Sequence, residues 1–252
     1  MAAEDAGNGE RSPFRDREPI PNELAEQILA EGEIDVLGRM PWSSNATMLC
    51  DVRFGQHLVQ AIYKPARGER PLWDFPTGLF RREVACYRLA GALGWDLVPP
   101  TILVDGPVGR GSLQLFIPCD FEHHYLTLNE DSRYRADFER LVAFDVVANS
   151  TDRKSGHVLL GADGEIWAID NGLSFHVDFK LRTVLWDFAG EPIPDAIRHD
   201  LLATVKAGLD GPLGDLLAAD EIDAAETRAR TMIDGGRFPI DPSGRRWPWP
   251  LV

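Results

Sequence analysis

The chain has 252 residues, a formal net charge of −14, 44% hydrophobic and 26% charged residues, which is the composition of a soluble globular protein with a real core. So acidic a balance excludes nucleic acid as the main partner and argues against an anionic membrane surface. Three cysteines (Cys50, Cys86, Cys119) without C-x-x-C spacing read as reduced thiols of a cytoplasmic protein, and no apolar run approaches the ~18 residues of a membrane span.

Residues 1–20 are polar and charged, lack a signal-peptide pattern, and read as a disordered tail. Asn22–Ala30 places Leu24, Ala25, Ile28 and Leu29 on one helical face, with Gly32 as its stop. Strand-like runs follow at Glu33–Arg39, Met48–Phe54 and Leu58–Lys64, the first two separated by a loop that holds Ser43 and Ser44. Period 2 puts Leu58, Gln60, Ile62 and Lys64 on one face of the third run. After a Pro/Gly-rich loop, Leu79–Leu93 reads as a helix closed by Gly94. Glu83 borders its buried side, and a carboxylate there needs a partner.

Val98-Pro99-Pro100 breaks the chain before two more strands, Thr101–Val104 and Ser112–Ile117, which complete a five-stranded antiparallel sheet. Residues 119–132 read as a polar linker in which His123 and His124 are exposed loop residues. Tyr134–Ala148 is apolar enough for a helix largely buried in a second lobe. Helices are predicted again at 194–209, 213–218 and 222–233, ahead of a Pro/Trp-rich extended tail.

The stretch from Asn149 to Ser174 carries the chemistry. Asp152 stands in a polar turn with Arg153, Lys154 and His157. Val158-Leu159-Leu160 and Ile166-Trp167-Ala168-Ile169 flank Asp163-Gly164, a hairpin signature. The hairpin returns the chain, so Asp170, in Asp170-Asn171-Gly172, comes back close to His157 and Asp152. A carboxylate to orient a hydroxyl and ligands to hold a divalent ion on phosphates are what phosphoryl transfer needs.

Asp152-Arg153-Lys154-Ser155-Gly156-His157, a strand, and then Asp170-Asn171-Gly172 resembles the catalytic and metal-binding loops of the phosphatidylinositol 3- and 4-kinase-like branch of the protein-kinase-like superfamily, its small actinobacterial members most of all. The resemblance covers residues 33–175. It implies an α+β, two-lobed protein-kinase-like fold: an N-terminal lobe at 21–118 with an antiparallel sheet and one main helix, and a mostly helical C-terminal lobe at 119–252. It implies ATP or GTP as cofactor with Mg²⁺ or Mn²⁺. Lys64 would neutralise phosphate and Glu83 would hold Lys64. Ile62 would roof the base, Gln114, Phe116 and Ile117 would form the base-binding connection, and Ser43 and Ser44 would cap phosphates. Asp152 would accept the proton of an acceptor hydroxyl, Arg153 and Lys154 would touch phosphate or adjacent backbone, and His157 and Asp170 would bind the metal. Three features depart from the family: Lys154 replaces a histidine, His157 replaces a metal-binding asparagine, and no G-x-G-x-x-G follows the first strand. The acceptor is a hydroxyl of a protein, a small polyol or a phosphoinositide, with lipid last. A nucleotide-binding pseudokinase and an AMP-transferase using the same cleft are the alternatives.

Overall fold

The structure, a computed structural model, describes residues 19–40 and 46–252. The predicted tail up to residue 18 and the predicted phosphate cap at Ser43 and Ser44 lie outside the described residues.

Helix α1 (Asn22–Glu31) leads into strands β1 (Glu33–Arg39), β2 (Met48–Phe54) and β3 (His57–Pro65), then helix α2 (Leu79–Leu93) and strands β4 (Thr101–Gly106) and β5 (Gly109–Leu115). The five strands form one antiparallel sheet in the order β1-β2-β3-β5-β4. Its two faces differ because alternate residues point to opposite sides. Val59, Ala61, Tyr63, Leu113 and Leu115 are buried on the α1 face, with Ala25, Ile28 and Leu29 of the helix against them. Ile62 and Lys64 lie on the other face, opposite Gln114 and Ser112.

The polar segment predicted as a linker is ordered instead: β6 (Cys119–His124) and the short helix α3 (Tyr125–Leu128). Edge pairing with a later strand outweighs its poor strand composition. Helix α4 (Arg135–Ala148) follows, and then the hairpin β7 (Val158–Gly161) and β8 (Ile166–Ala168), which with β6 makes a three-stranded sheet, order β6-β7-β8. The remainder is helical: α5 (Asp195–Ala207), α6 (Asp210–Leu213) and α7 (Ala219–Gly235). The helix expected at 213–218 ends at Leu213 and continues as turns. No helix among the described residues is long and apolar enough to cross a membrane.

Two buried apolar clusters hold these parts. One joins the sheet, α1, Leu159 and Trp167. The other joins α2, α4, α5 and α7 around Leu89, Phe138, Phe144, Leu201 and Ala225. Helix α2 therefore packs with the C-terminal helices while its Glu83 reaches the sheet, and β7–β8 packs back on the sheet. The two halves are interleaved at the place where the charged residues meet. All three cysteines are buried, and burial pushes the Cys50 and Cys86 thiols up to about 11 and about 12.

Candidate active site

Lys64 is the centre. Its strand delivers it to the end of the sheet, where the ammonium bonds the Glu83 carboxylate and Asp170 Oδ1, the latter at 2.8 Å. Burial pulls the Lys64 pKa down, but Asp170 and Glu83 outweigh it and hold it above the ordinary lysine range. Lys64 in turn holds the Asp170 carboxyl well below the usual carboxylate range, against the opposing effect of burial. Glu83 also accepts the backbone N–H of Asn171 at 3.0 Å, so α2 grips the Asp170 turn directly. Gly172 makes that approach possible: a Cβ there would stand 3.1 Å from Glu83 Oε1.

The hairpin brings His157 and Asp170 together, with Nε2 3.5 Å from Oδ2. His157 Nδ1 lies 3.0 Å from the Asp152 carbonyl oxygen and 3.5 Å from the Lys154 backbone N; with the proton on Nδ1 the shorter contact is a hydrogen bond and Nε2 presents a lone pair toward Asp170. Burial lowers the His157 pKa to about 4, so the ring is neutral at pH 7. A neutral imidazole fixed by a carbonyl and turned toward a carboxylate is a metal-ligand arrangement. Among the described residues no group of three or more His, Cys, Asp or Glu side chains can hold an ion. A divalent ion here would have His157 and Asp170 as its two protein ligands, leaving the rest of its shell to phosphate oxygens and water. Imidazole suits Mn²⁺ or Zn²⁺ better than Mg²⁺.

Asp170 has φ 56, in the left-handed region that a non-glycine residue enters at a cost of about 1–3 kcal/mol. Its neighbours over-determine it. Asn171, next to it, donates from Nδ2 to the Ala168 carbonyl at 3.1 Å and accepts from Arg153 Nη2 at 2.6 Å.

Asp152 lies half-buried at the mouth. Burial raises its pKa, and Lys154, whose Nζ is 3.2 Å from Asp152 Oδ2, works against that rise. Of its two expected roles Arg153 takes the backbone contact and not the phosphate one. Its side chain is 1% exposed and bonds Asp145 through Nε and Nη2, the Ile169 carbonyl at 2.8 Å and Asn171, which leaves nothing to touch a phosphate. A side chain has two directions out of a turn, and Asp145, one turn before the end of α4, decides which one Arg153 takes. Asp145 and Asn171 are the residues whose roles sequence reasoning missed. An aspartate inside the otherwise apolar run 141–148 was the available signal, because a buried carboxylate needs a cation.

Ile62 sits half-buried on the Lys64 face, as expected. The base-binding connection is corrected in part. Gln114 is buried with its Nε2 donating to Thr101 Oγ1 at 2.8 Å, and the Phe116 N–H donates to the Gln60 carbonyl at 2.9 Å, so sheet pairing uses both groups. Ile117 is buried in the sheet's apolar cluster. A small apolar recess of about 50 Å³ beside Phe116 and Ile117 is lined by Val59, Leu115 and Trp167, and Val59 and Leu115 point to the α1 face, away from Lys64.

No family model matches the chain. It is 42% identical over 261 residues to Protein Rv2133c of Mycobacterium tuberculosis, an alignment that covers 88% of this chain and 94% of that one. The chain belongs to the Rv2133c family. Its solved structural neighbours include the Helicobacter pylori proinflammatory kinase CtkA (TM-score 0.52, 11% identity, 83% of this chain and 94% of that one) and hydra Fam20 with sugar (TM-score 0.51, 13% identity, 82% and 86%). At such identities they establish the fold: this member of the Rv2133c family is a two-lobed, kinase-like α+β protein.

Proposed function

We propose that the protein is a metal-dependent phosphotransferase that moves the γ-phosphate of ATP or GTP to a hydroxyl acceptor. The observation that carries this reading is the position of the Lys64 ammonium between Glu83 and Asp170, one carboxylate to hold it and one to yield it to phosphate. When bound, the ion supplies charge neutralisation for the phosphates, and His157 and Asp170 would hold it. Asp152, with its raised pKa, would take the acceptor proton, and Lys154 would keep its carboxylate in place. Arg153 acts as a positioning residue for the Asp170 turn. The kinase-like neighbours support phosphotransfer in general; the phosphatidylinositol 3-/4-kinase-like assignment rests on the Asp152-to-Gly172 pattern alone.

Incubation with γ-labelled and α-labelled ATP, with Mg²⁺ and with Mn²⁺, tests the reading. Label from the γ position on a product, lost in Asp152→Asn and Lys64→Met, is the expected result. Label from the α position indicates AMP transfer, and nucleotide binding without turnover in either metal indicates a pseudokinase.

A further inference from the structure

We propose that loop 66–78, segment 176–182 and the tail 241–252 together form a docking surface for an anionic phospholipid bilayer. Trp73 is 95% exposed and Trp249 is 85% exposed, and Leu72, Val177, Phe179 and Trp247 join them. Scattered exposed apolar residues are ordinary, but a contiguous set marks an interaction site. Cation–π contacts tie the three segments to one another. Lys180 Nζ lies 5.7 Å from the Trp73 ring and 3.1 Å from Asp74, and the Arg246 guanidinium lies 4.9 Å from the Phe179 ring. The tail then reaches the catalytic loop, where the Ser155 N–H donates to the Leu251 carbonyl at 2.7 Å. The patch therefore borders the loop that carries Asp152.

Its charge runs against that of the chain. The three segments hold Arg67, Arg70, Lys180, Arg182, Arg245 and Arg246 against four acidic residues, a net +2, in a chain of −14. Two ion pairs lie inside the patch, Lys180 with Asp74 at 3.1 Å and Arg246 with Asp241 at 3.8 Å, and Glu69 caps the start of α2 through the N–H groups of Gly78 and Phe80. Screening limits what a surface feels to about 8 Å at physiological salt, so the local sign decides docking. Six Lys and Arg beside exposed tryptophans fit an anionic headgroup layer, with the rings at headgroup depth. A peptide fits less well, because these segments contain no strand and offer no edge for an extended chain to pair with.

The consequence for catalysis, an acceptor hydroxyl presented at the bilayer, rests on the phosphotransferase reading; the docking itself does not. Cosedimentation with phosphatidylcholine vesicles, with and without phosphatidylglycerol and without nucleotide, tests it. Binding should require phosphatidylglycerol, weaken at high salt, and fall in R245E/R246E by roughly fivefold or more for each charge changed. W73A/W249A should lower binding as well, while R53E, on the β2 strand of the N-terminal sheet, should not. Urea midpoints of all variants show that each remains folded. Absence of binding, equal binding to neutral vesicles, an equal loss in R53E, or binding to soluble polyglutamate but not to vesicles would overturn the proposal. Because no turnover is read, failure of the phosphotransfer assays leaves this result standing, and the reverse holds too.

Discussion

Two charged clusters lie one above the other, and they differ in who can reach them. In the upper one Lys64 joins Glu83 and Asp170, and the Lys64 and Asp170 side chains are 20% and 55% exposed. In the lower one Arg153 joins Asp145 and Asn171, and Arg153 and Asp145 are each 1% exposed. The open cluster has room for a ligand: under the phosphotransferase reading an incoming phosphate would displace Asp170 from Lys64 and free that carboxylate for a metal. The closed cluster has no ligand to exchange with. It binds the end of α4, the end of β8 and the Asp170 turn into one frame. Adjacent residues of one turn meet opposite surroundings: Asp152 is half-buried and pairs with Lys154, while Arg153 is buried against Asp145.

The comparison can be broken most sharply at the open end. Asp152→Asn should lower phosphotransfer by roughly 10²–10⁴-fold, the size of a general-base contribution, while the urea midpoint stays within experimental scatter. Undiminished turnover in that variant would remove Asp152 from the mechanism. At the closed end the expectation reverses. Arg153→Met leaves Asp145 buried without its cation and should cost about 3–5 kcal/mol of stability in urea titrations; a protein as stable as the wild type would show that the lower cluster is not the frame described here.

Glu83→Gln sharpens the boundary between the two, since Glu83 serves both Lys64 and the Asn171 N–H. Loss of a charged hydrogen-bond partner, about 1.5–3 kcal/mol, predicts at least a tenfold fall in kcat/KM; a change in KM for the acceptor only would place Glu83 elsewhere in the reaction. The smallest effect is one of pH. Burial raises the Asp152 pKa, so its base form is lost, and kcat/KM falls, at a higher pH than for an ordinary carboxylate. Removing Lys154, which counters that rise, should move the acid limb of the profile further up in Lys154→Ala, and an unmoved limb would separate Lys154 from Asp152. The sign for stability is the opposite of that for activity. The folded state holds this proton more tightly than the unfolded one, so Asp152 by itself favours folding as the pH falls through the window between the two pKa values.

Much of the fold was legible because its signals are local. Helix Leu79–Leu93 with Gly94 at φ 72 as its cap, the strand alternation around Lys64 and the Asp163-Gly164 hairpin each follow from neighbouring residues. That Glu83 needs a partner was legible from its place on the buried border of its helix; that the partner is Lys64 came from the family resemblance. The β6 strand was not, since 119–124 is held by pairing with β7 and not by its own composition. Nor was the fate of the Phe116 amide, which depends on how far β3 and β5 remain in register.

By itself, then, the order of residues determined which groups carry charge, which elements bear them, and that one hairpin would bring 152, 157 and 170 near each other. Only the folded molecule decided that Arg153 turns inward to Asp145, that Asn171 ties Arg153 to Glu83, and that Trp73 of loop 66–78 and Arg246 of the tail meet the same segment, at Lys180 and Phe179. Periodicity reports the face of its own element and nothing of what lies across from it. Whether a charge meets a partner, a ligand or water is settled by segments that can be more than a hundred residues away, as Lys64 and Asp170 are.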